Sequence, residues 1–290
     1  MKWTKLSILI SNEAASAVSN MLEQIDANGI QIQNIDHQIQ MTAYFPPKSS
    51  VESKIKSLKH QVKGLNQFGL NPGKYQISTS IVDDQQWGIA WEKNYHVTKI
   101  TRFLTIVPSW QTYHVQMPGE IVLKLDPKRA FGTGIHPTTQ LTLQLMEASI
   151  HGEEHVLDVG TGSGILSIAA VKLGAKEAKG FDVTDDSITS AKRNVKLNHV
   201  SDKVIISTNN LLDHINEHAD LIVANMLTKF ILPLIPQANK NLKNDGLFII
   251  SGIINTDLTT ILDQLTENHF QIIEVSSMKD WYGIIAKKIV

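Results

Sequence analysis

Hydrophobic and polar positions change rhythm along this chain. Residues 3–10 alternate as a half-buried strand does, and 13–27 set Ala14, Ala17, Val18, Met21, Leu22 and Ile25 at helical spacing. Asn28 and Gly29 stop that helix, IQIQNI at 30–35 alternates with period two, and a strand over 40–45 is halted by Pro46 and Pro47. Val51, Ile55, Leu58 and Val62 mark one face of a helix over 51–66, and YQISTSIV at 75–82 alternates again after the turn Asn71-Pro72-Gly73. The order βαββαβ predicts a small ferredoxin-like α+β domain over residues 1–83.

Residues 84–105 carry no sustained period and read as a linker, with Trp87 and Trp91 four apart on a short helix. RFLTIVPSW reads as a strand at the opening of a second domain, 106–290. From 137 the rhythm becomes helix, strand, helix, strand. HVLDV (155–159), AKGFDV (178–183), VIIST, DLIVAN and GLFIISGII are strands, with helices over 137–150, 164–174 and 185–197. That alternation predicts an α/β, Rossmann-like doubly wound sheet, mainly parallel with helices on both faces. The tail FQIIEVSSMKDWYGIIAKKIV holds two strands too close together for a helical crossover, so an antiparallel hairpin ends the domain.

Composition narrows the chemistry. Cysteine is absent from the 290 residues, which excludes disulfides, zinc-thiolate sites and thiol nucleophiles. The formal net charge of −1, without a dense Lys/Arg block, argues against direct nucleic-acid binding, though not against a local basic patch. The apolar run in MKWTKLSILIS is too short for a signal-peptide core and no run approaches a membrane span, so a cytoplasmic protein without membrane association is expected. His151-Gly-Glu-Glu154-His155 matches an H-x-x-E-H zinc signature, but Gly152 and the strand beginning near 155 break the helix that signature needs. No metal site is expected.

Gly160, Gly162 and Gly164 lie where a strand gives way to a helix, the place at which a doubly wound sheet holds its cofactor. Asp182 ends the next strand, at the spacing from which an acid accepts ribose hydroxyls; a plain strand-to-helix turn with a capping Asp is the alternative. The spacing is G-x-G-x-G, not the dinucleotide G-x-G-x-x-G, which suits a nucleoside better than a pyrophosphate. Asn225 closes LIVANML at the carboxyl edge of a later strand, where an amide can accept from an amine and aim its lone pair. Taken alone, it reads better as a turn residue ending a strand.

AFGTGIHPTT, VLDVGTGSGILSIAA, GFD, VANML and FIISGII together resemble the PrmA family, methyltransferases of the large-subunit ribosomal protein L11. The likeness runs from about Trp87 to the end of the sequence, and the N-terminal element order agrees with the family in layout. The resemblance implies S-adenosylmethionine as methyl donor, contacted by Thr139, Gly160, Gly162, Asp182 and Asn225, and an N-terminal domain that recognises the ribosomal protein. The implied activity is protein N-methylation at lysine or N-terminal amines. A nucleic-acid amino group or a small molecule is the alternative acceptor, although Met226-Leu227 stands where a base-stacking aromatic would follow the Asn. The motifs offer no general base. Family members usually carry a second acid two residues beyond the ribose acid, whereas this chain has Thr184. Pro137 suits a first helical turn, with Thr138 and Thr139 near donors that would face the cofactor carboxylate, and Phe131-Gly-Thr-Gly134 would fold over it as a flap.

Overall fold

The computed structural model describes residues 2–25, 30–35, 38–45, 51–68, 70–83, 95–126 and 134–289. The chain separates into two compact units, Met1–Asn94 and Tyr95–Val290. In the first, strands β1 (Lys2–Ser11), β2 (Ile30–Ile35), β3 (Gln38–Phe45) and β4 (Gln76–Asp83) are interleaved with helices α1 (Ala15–Gln24) and α2 (Val51–Gly64). They form one antiparallel sheet in the order β2-β3-β1-β4. Period two puts Leu6, Ile8 and Ile10 on one face of β1, opposite Ala43, Met41 and Ile39 of β3 respectively. Val18 and Leu22 of α1, four apart, and Leu58 and Val62 of α2, four apart, cover that face and are all fully buried. The sequence predicts α2 as far as 66; a tighter 3₁₀ turn, Leu65–Phe68, takes over its end.

The second unit begins earlier than the sequence predicts. Residues 84–94 of the expected linker, with Trp87 and Trp91, lie outside the described residues. Residues 95–105 are built into the second unit: Tyr95 is buried, and β5 (Thr98–Lys99) pairs with β6 (Leu104–Pro108). A two-residue strand has no period to read, which is why this stretch looks like a linker. β6 pairs in parallel with β7 (Ile121–Leu125) to complete a three-stranded sheet.

The main sheet has seven strands in the order β10-β9-β8-β11-β12-β14-β13. β8 (His155–Val159), β9 (Glu177–Asp182), β10 (Val204–Thr208), β11 (Ala219–Asn225) and β12 (Leu242–Ile254) are parallel. The connecting helices are α3 (Pro137–Ser149), leading into β8, then α4 (Ile165–Lys172), α5 (Asp185–Leu197), α6 (Thr228–Asn241) and α7 (Asn255–Glu267). β13 (Phe270–Met278) and β14 (Trp281–Lys288) are joined by Lys279 and Asp280 only, so they pair antiparallel. β14 is inserted between β12 and β13. From β8 the chain steps outward through β9 to β10, then crosses back to the other side of β8 at β11. That reversal opens a crevice at the carboxyl ends of β8 and β11, and the carboxyl ends of β8, β9 and β11 are where Gly160, Asp182 and Asn225 stand.

Candidate functional site

A cleft of about 390 Å³ lies at this edge, lined by Gly160, Gly162, Asp182 and Asn225 with Met226, Phe230, His136 and Trp281. The turn after β8 favours glycine. Gly160 has φ 75°, and a Cβ there would stand 2.6 Å from Met226 Sδ, so the residue after Asn225 closes directly against the turn. The N–H groups of Gly160 and Thr161 both donate to Phe181 O, at 2.9 and 2.8 Å, which ties the turn to β9.

Asp182 sits between two turns. Its Oδ2 accepts from Gly162 N at 3.0 Å, and its Oδ1 accepts from the N–H and the hydroxyl of Thr184, each at 3.1 Å. A carboxylate has about four acceptor positions, so lone-pair capacity remains toward the cleft that it lines. Thr184 is the N-cap of α5 and accepts from Ser187 N at 3.3 Å.

Asp158 is a residue that sequence reasoning passed over. It is completely buried beneath the glycine turn, where Oδ2 accepts from Thr161 Oγ1 and Ser167 Oγ at 2.6 Å and from Ser167 N at 2.9 Å. Its Oδ1 has no hydrogen-bond partner among the described residues. Burial pushes the carboxyl up to about 6, against the opposing pull of those hydrogen bonds. The signal was its place directly before the glycine cluster, in DVGTGSG.

The other side of the cleft belongs to the start of α3. Pro137 occupies the first turn, and the N-cap is His136, whose Nδ1 accepts from Thr138 N at 3.3 Å and lies 2.8 Å from Thr138 Oγ1. Thr139 is fully buried, and its hydroxyl accepts from Asn225 Nδ2 at 3.1 Å. The two threonine hydroxyls thus have protein partners, and Thr139 meets the cleft through Asn225. Residues 131–133 of the expected flap lie outside the described residues. His136 stacks edge-on against Trp281 with ring centroids 5.2 Å apart. Burial, aided by the charge of Lys279, lowers its pKa and so favours the neutral imidazole. His136 lies within AFGTGIHPTT, but Trp281 has no motif around it and 145 positions separate the two; only the fold brings them together.

The H-x-x-E-H stretch contains no helix. α3 ends at Ser149, the Glu154 carboxylate accepts from the N–H groups of His151 and Gly152, and His155 opens β8 with Nδ1 3.0 Å from Glu177.

The family described as ribosomal protein L11 methyltransferase (PrmA) matches residues 2–289. A protein of that name from Limosilactobacillus reuteri is 42% identical over 314 aligned positions, covering 99% of this chain and 98% of its own. The relative from Enterococcus faecalis is 41% identical and covers 99% of each chain. Among solved structures, the ribosomal protein L11 methylase of Lactobacillus delbrueckii subsp. bulgaricus is 40% identical, with a TM-score of 0.65 over 68% of this chain and 100% of that one.

Proposed function

The chain belongs to the ribosomal protein L11 methyltransferase family, and from that premise we propose that it methylates amines of ribosomal protein L11, at lysine or the N-terminus, with S-adenosylmethionine as donor. The observation that carries this reading is the amide of Asn225, held by Thr139 at the edge of the cleft. With its NH₂ engaged, the carbonyl oxygen of the amide is left to accept from an amine N–H. That contact would aim the nitrogen lone pair along the line of attack.

The residues present fit S-adenosylmethionine. The cleft is of small-ligand size, Gly160 leaves the backbone bare, and the orphaned Oδ1 of Asp158 places negative charge under the glycine turn, suited to an ammonium group. When bound, the cofactor supplies a methyl group on a positively charged sulfur. Asp182 would accept from the ribose hydroxyls, and Gly160 and Gly162 would let the main chain approach.

The acceptor must arrive neutral. Deprotonating a lysine of pKa about 10.4 near pH 7.5 costs about 4 kcal/mol, whereas an α-amine near 8 costs under about 1 kcal/mol. Met226, Leu227, Phe230 and Trp281 make the cleft wall apolar, which disfavours an ammonium ion and so lowers the first cost. A base-methylating alternative finds no support here, because Met226 is turned against Gly160 and offers no stacking face. The first unit, read as ferredoxin-like, would recognise L11, leaving the second to bind cofactor.

Mass spectrometry of L11 after incubation with the chain and S-adenosylmethionine tests this, with peptide mapping to separate lysine from N-terminal products. Methyl-group increments on L11 are expected. An unmodified L11 beside a methylated RNA or small molecule would overturn the assignment.

A further inference from the structure

The face of α2 turned away from its core is not an ordinary solvated surface. In Val51–Gly64 there are four lysines and one glutamate, in a chain whose formal charge is −1 overall. Lys54 is turned aside, donating to Ile25 O at 2.8 Å with its ammonium near the Phe45 ring. Lys56, Lys59, His60 and Lys63 follow the spacing i, i+3, i+4, i+7 and so share one face. All four are exposed, and among the described residues none is within ion-pair distance of a carboxylate. They rim a groove of about 710 Å³ that also takes in Ser53 and Ser57, with Tyr75 and Ile77 of the neighbouring β4 region along it.

We propose that this groove docks a single strand of RNA. A basic rim over an aromatic and aliphatic floor is what sequence-tolerant binding of a single strand requires: cations for the phosphates and a ring face for a base. A lipid surface would instead need protruding apolar side chains, and here Tyr75 and Ile77 are half-buried against the domain core. A ribosomal protein, rich in the Lys and Arg that bind RNA, would be repelled by this rim, so any surface that reads such a substrate lies elsewhere on the unit. The near-neutral net charge hides the patch, because the acidic residues that balance it lie elsewhere in the chain. The inference goes beyond the proposed methylation and does not depend on it.

The stripe from Lys56 to Lys63 spans about 10 Å of helix, room for about three phosphates of one strand. Three lysine contacts to single-stranded RNA should give a slope of log K on log salt of about −2, or a loss of roughly 20-fold between 50 and 200 mM salt. The test titrates the full chain into a labelled, mixed-sequence RNA of about 15 nucleotides and follows anisotropy. The triple substitution Lys56→Gln, Lys59→Gln, Lys63→Gln should abolish the salt slope and weaken binding by at least about tenfold at low salt. Its circular dichroism and its affinity for S-adenosylmethionine should match the parent, which shows that it is folded. Tyr75→Leu keeps the packing and removes the ring; it should weaken RNA about fivefold or more and leave inorganic polyphosphate unaffected. Unchanged RNA binding by the folded triple variant overturns the proposal. So does equal loss of RNA and polyphosphate with Tyr75→Leu, equal competition by poly-glutamate, or tighter binding to anionic phosphatidylglycerol vesicles than to RNA.

Discussion

Replacing Asp182 by asparagine separates the bonds that the carboxylate makes within the protein from the ribose contacts proposed for it. It accepts from Gly162 N, Thr184 N and the Thr184 hydroxyl at 3.0–3.1 Å, so it joins the turn after β8 to the start of α5 whether or not cofactor is present. Asparagine keeps the shape but presents an NH₂ to one of those donors. Loss of one such bond costs about 1 kcal/mol, which lowers the melting temperature of a domain this size by about 2–4 °C. The ribose contacts are a separate account: charge-assisted acceptance contributes about 1.5–3 kcal/mol and neutral acceptance about 0.5–1.5. Asp182→Asn should therefore weaken S-adenosylmethionine by about 1–3 kcal/mol, a rise in Kd of roughly 5- to 150-fold. Isothermal calorimetry gives the Kd, and a melt without cofactor gives the structural term free of ligand stabilisation. A lower Tm with Kd unchanged would mean that Asp182 only fastens the turns together. That outcome refutes the ribose assignment.

Thr139→Val frees the Asn225 amide to rotate and should cut the methyl-transfer rate by about 2- to 12-fold, with Asn225→Ala costing more; single-turnover rates compared with cofactor Kd check this, and equal losses in both would make Asn225 a cofactor contact alone. The Asp158 carboxyl, held up at about 6 by burial, lends stability that is complete below about pH 4 and lost as pH rises through about 6. Asp158→Asn should therefore gain up to about 3 kcal/mol on the parent at neutral pH while binding S-adenosylmethionine less well; parallel Tm profiles from about pH 4 to 8 would rule out a buried charge. A chain beginning at Tyr95 should bind S-adenosylmethionine but fail to methylate L11, and full-rate methylation would show that the first unit is not the substrate reader.

What could be read in advance was what a period or a motif reports. Alternation in 3–10, and fours in α1 and α2, gave elements of the first unit because one face of each is buried, whereas 30–35 gave a strand by its period alone, with Ile32 and Ile35 exposed. The short tail connection gave the hairpin, and the glycines with Asp182 and Asn225 gave three carboxyl-edge positions on one sheet. Thr98–Lys99 was unreadable, since two residues carry no period. His136 and Trp281 escaped because their meeting depends on where β14 enters the sheet, which local sequence does not encode. Asp158 was written in plain sight but looked like part of a strand, and only complete burial with one bare oxygen marks it out. The basic stripe of α2 shares its helix with the apolar positions that mark the helix, and a charged face on a surface helix carries no signal of its own beside them.

The insertion of β14 between β12 and β13 puts the order of synthesis at odds with the order in space. β13 leaves the ribosome before β14, the only strand it pairs with among the described residues, so it has nowhere to add until β14 follows. Meanwhile β12 keeps an open edge, with Phe248 and Ile250 of its core still lacking their partners Ala286 and Ile284. A chain ending at Met278 should accordingly forfeit two strands rather than one, together with the Trp281 wall of the cleft. Such a chain should aggregate and fail to bind cofactor, as sedimentation and calorimetry would reveal. A soluble, cofactor-binding product would show that the sheet tolerates an open edge at β12. If it does not, the seam closes only after translation has passed the second arm of the hairpin, and cofactor capture becomes a late checkpoint on the newborn chain.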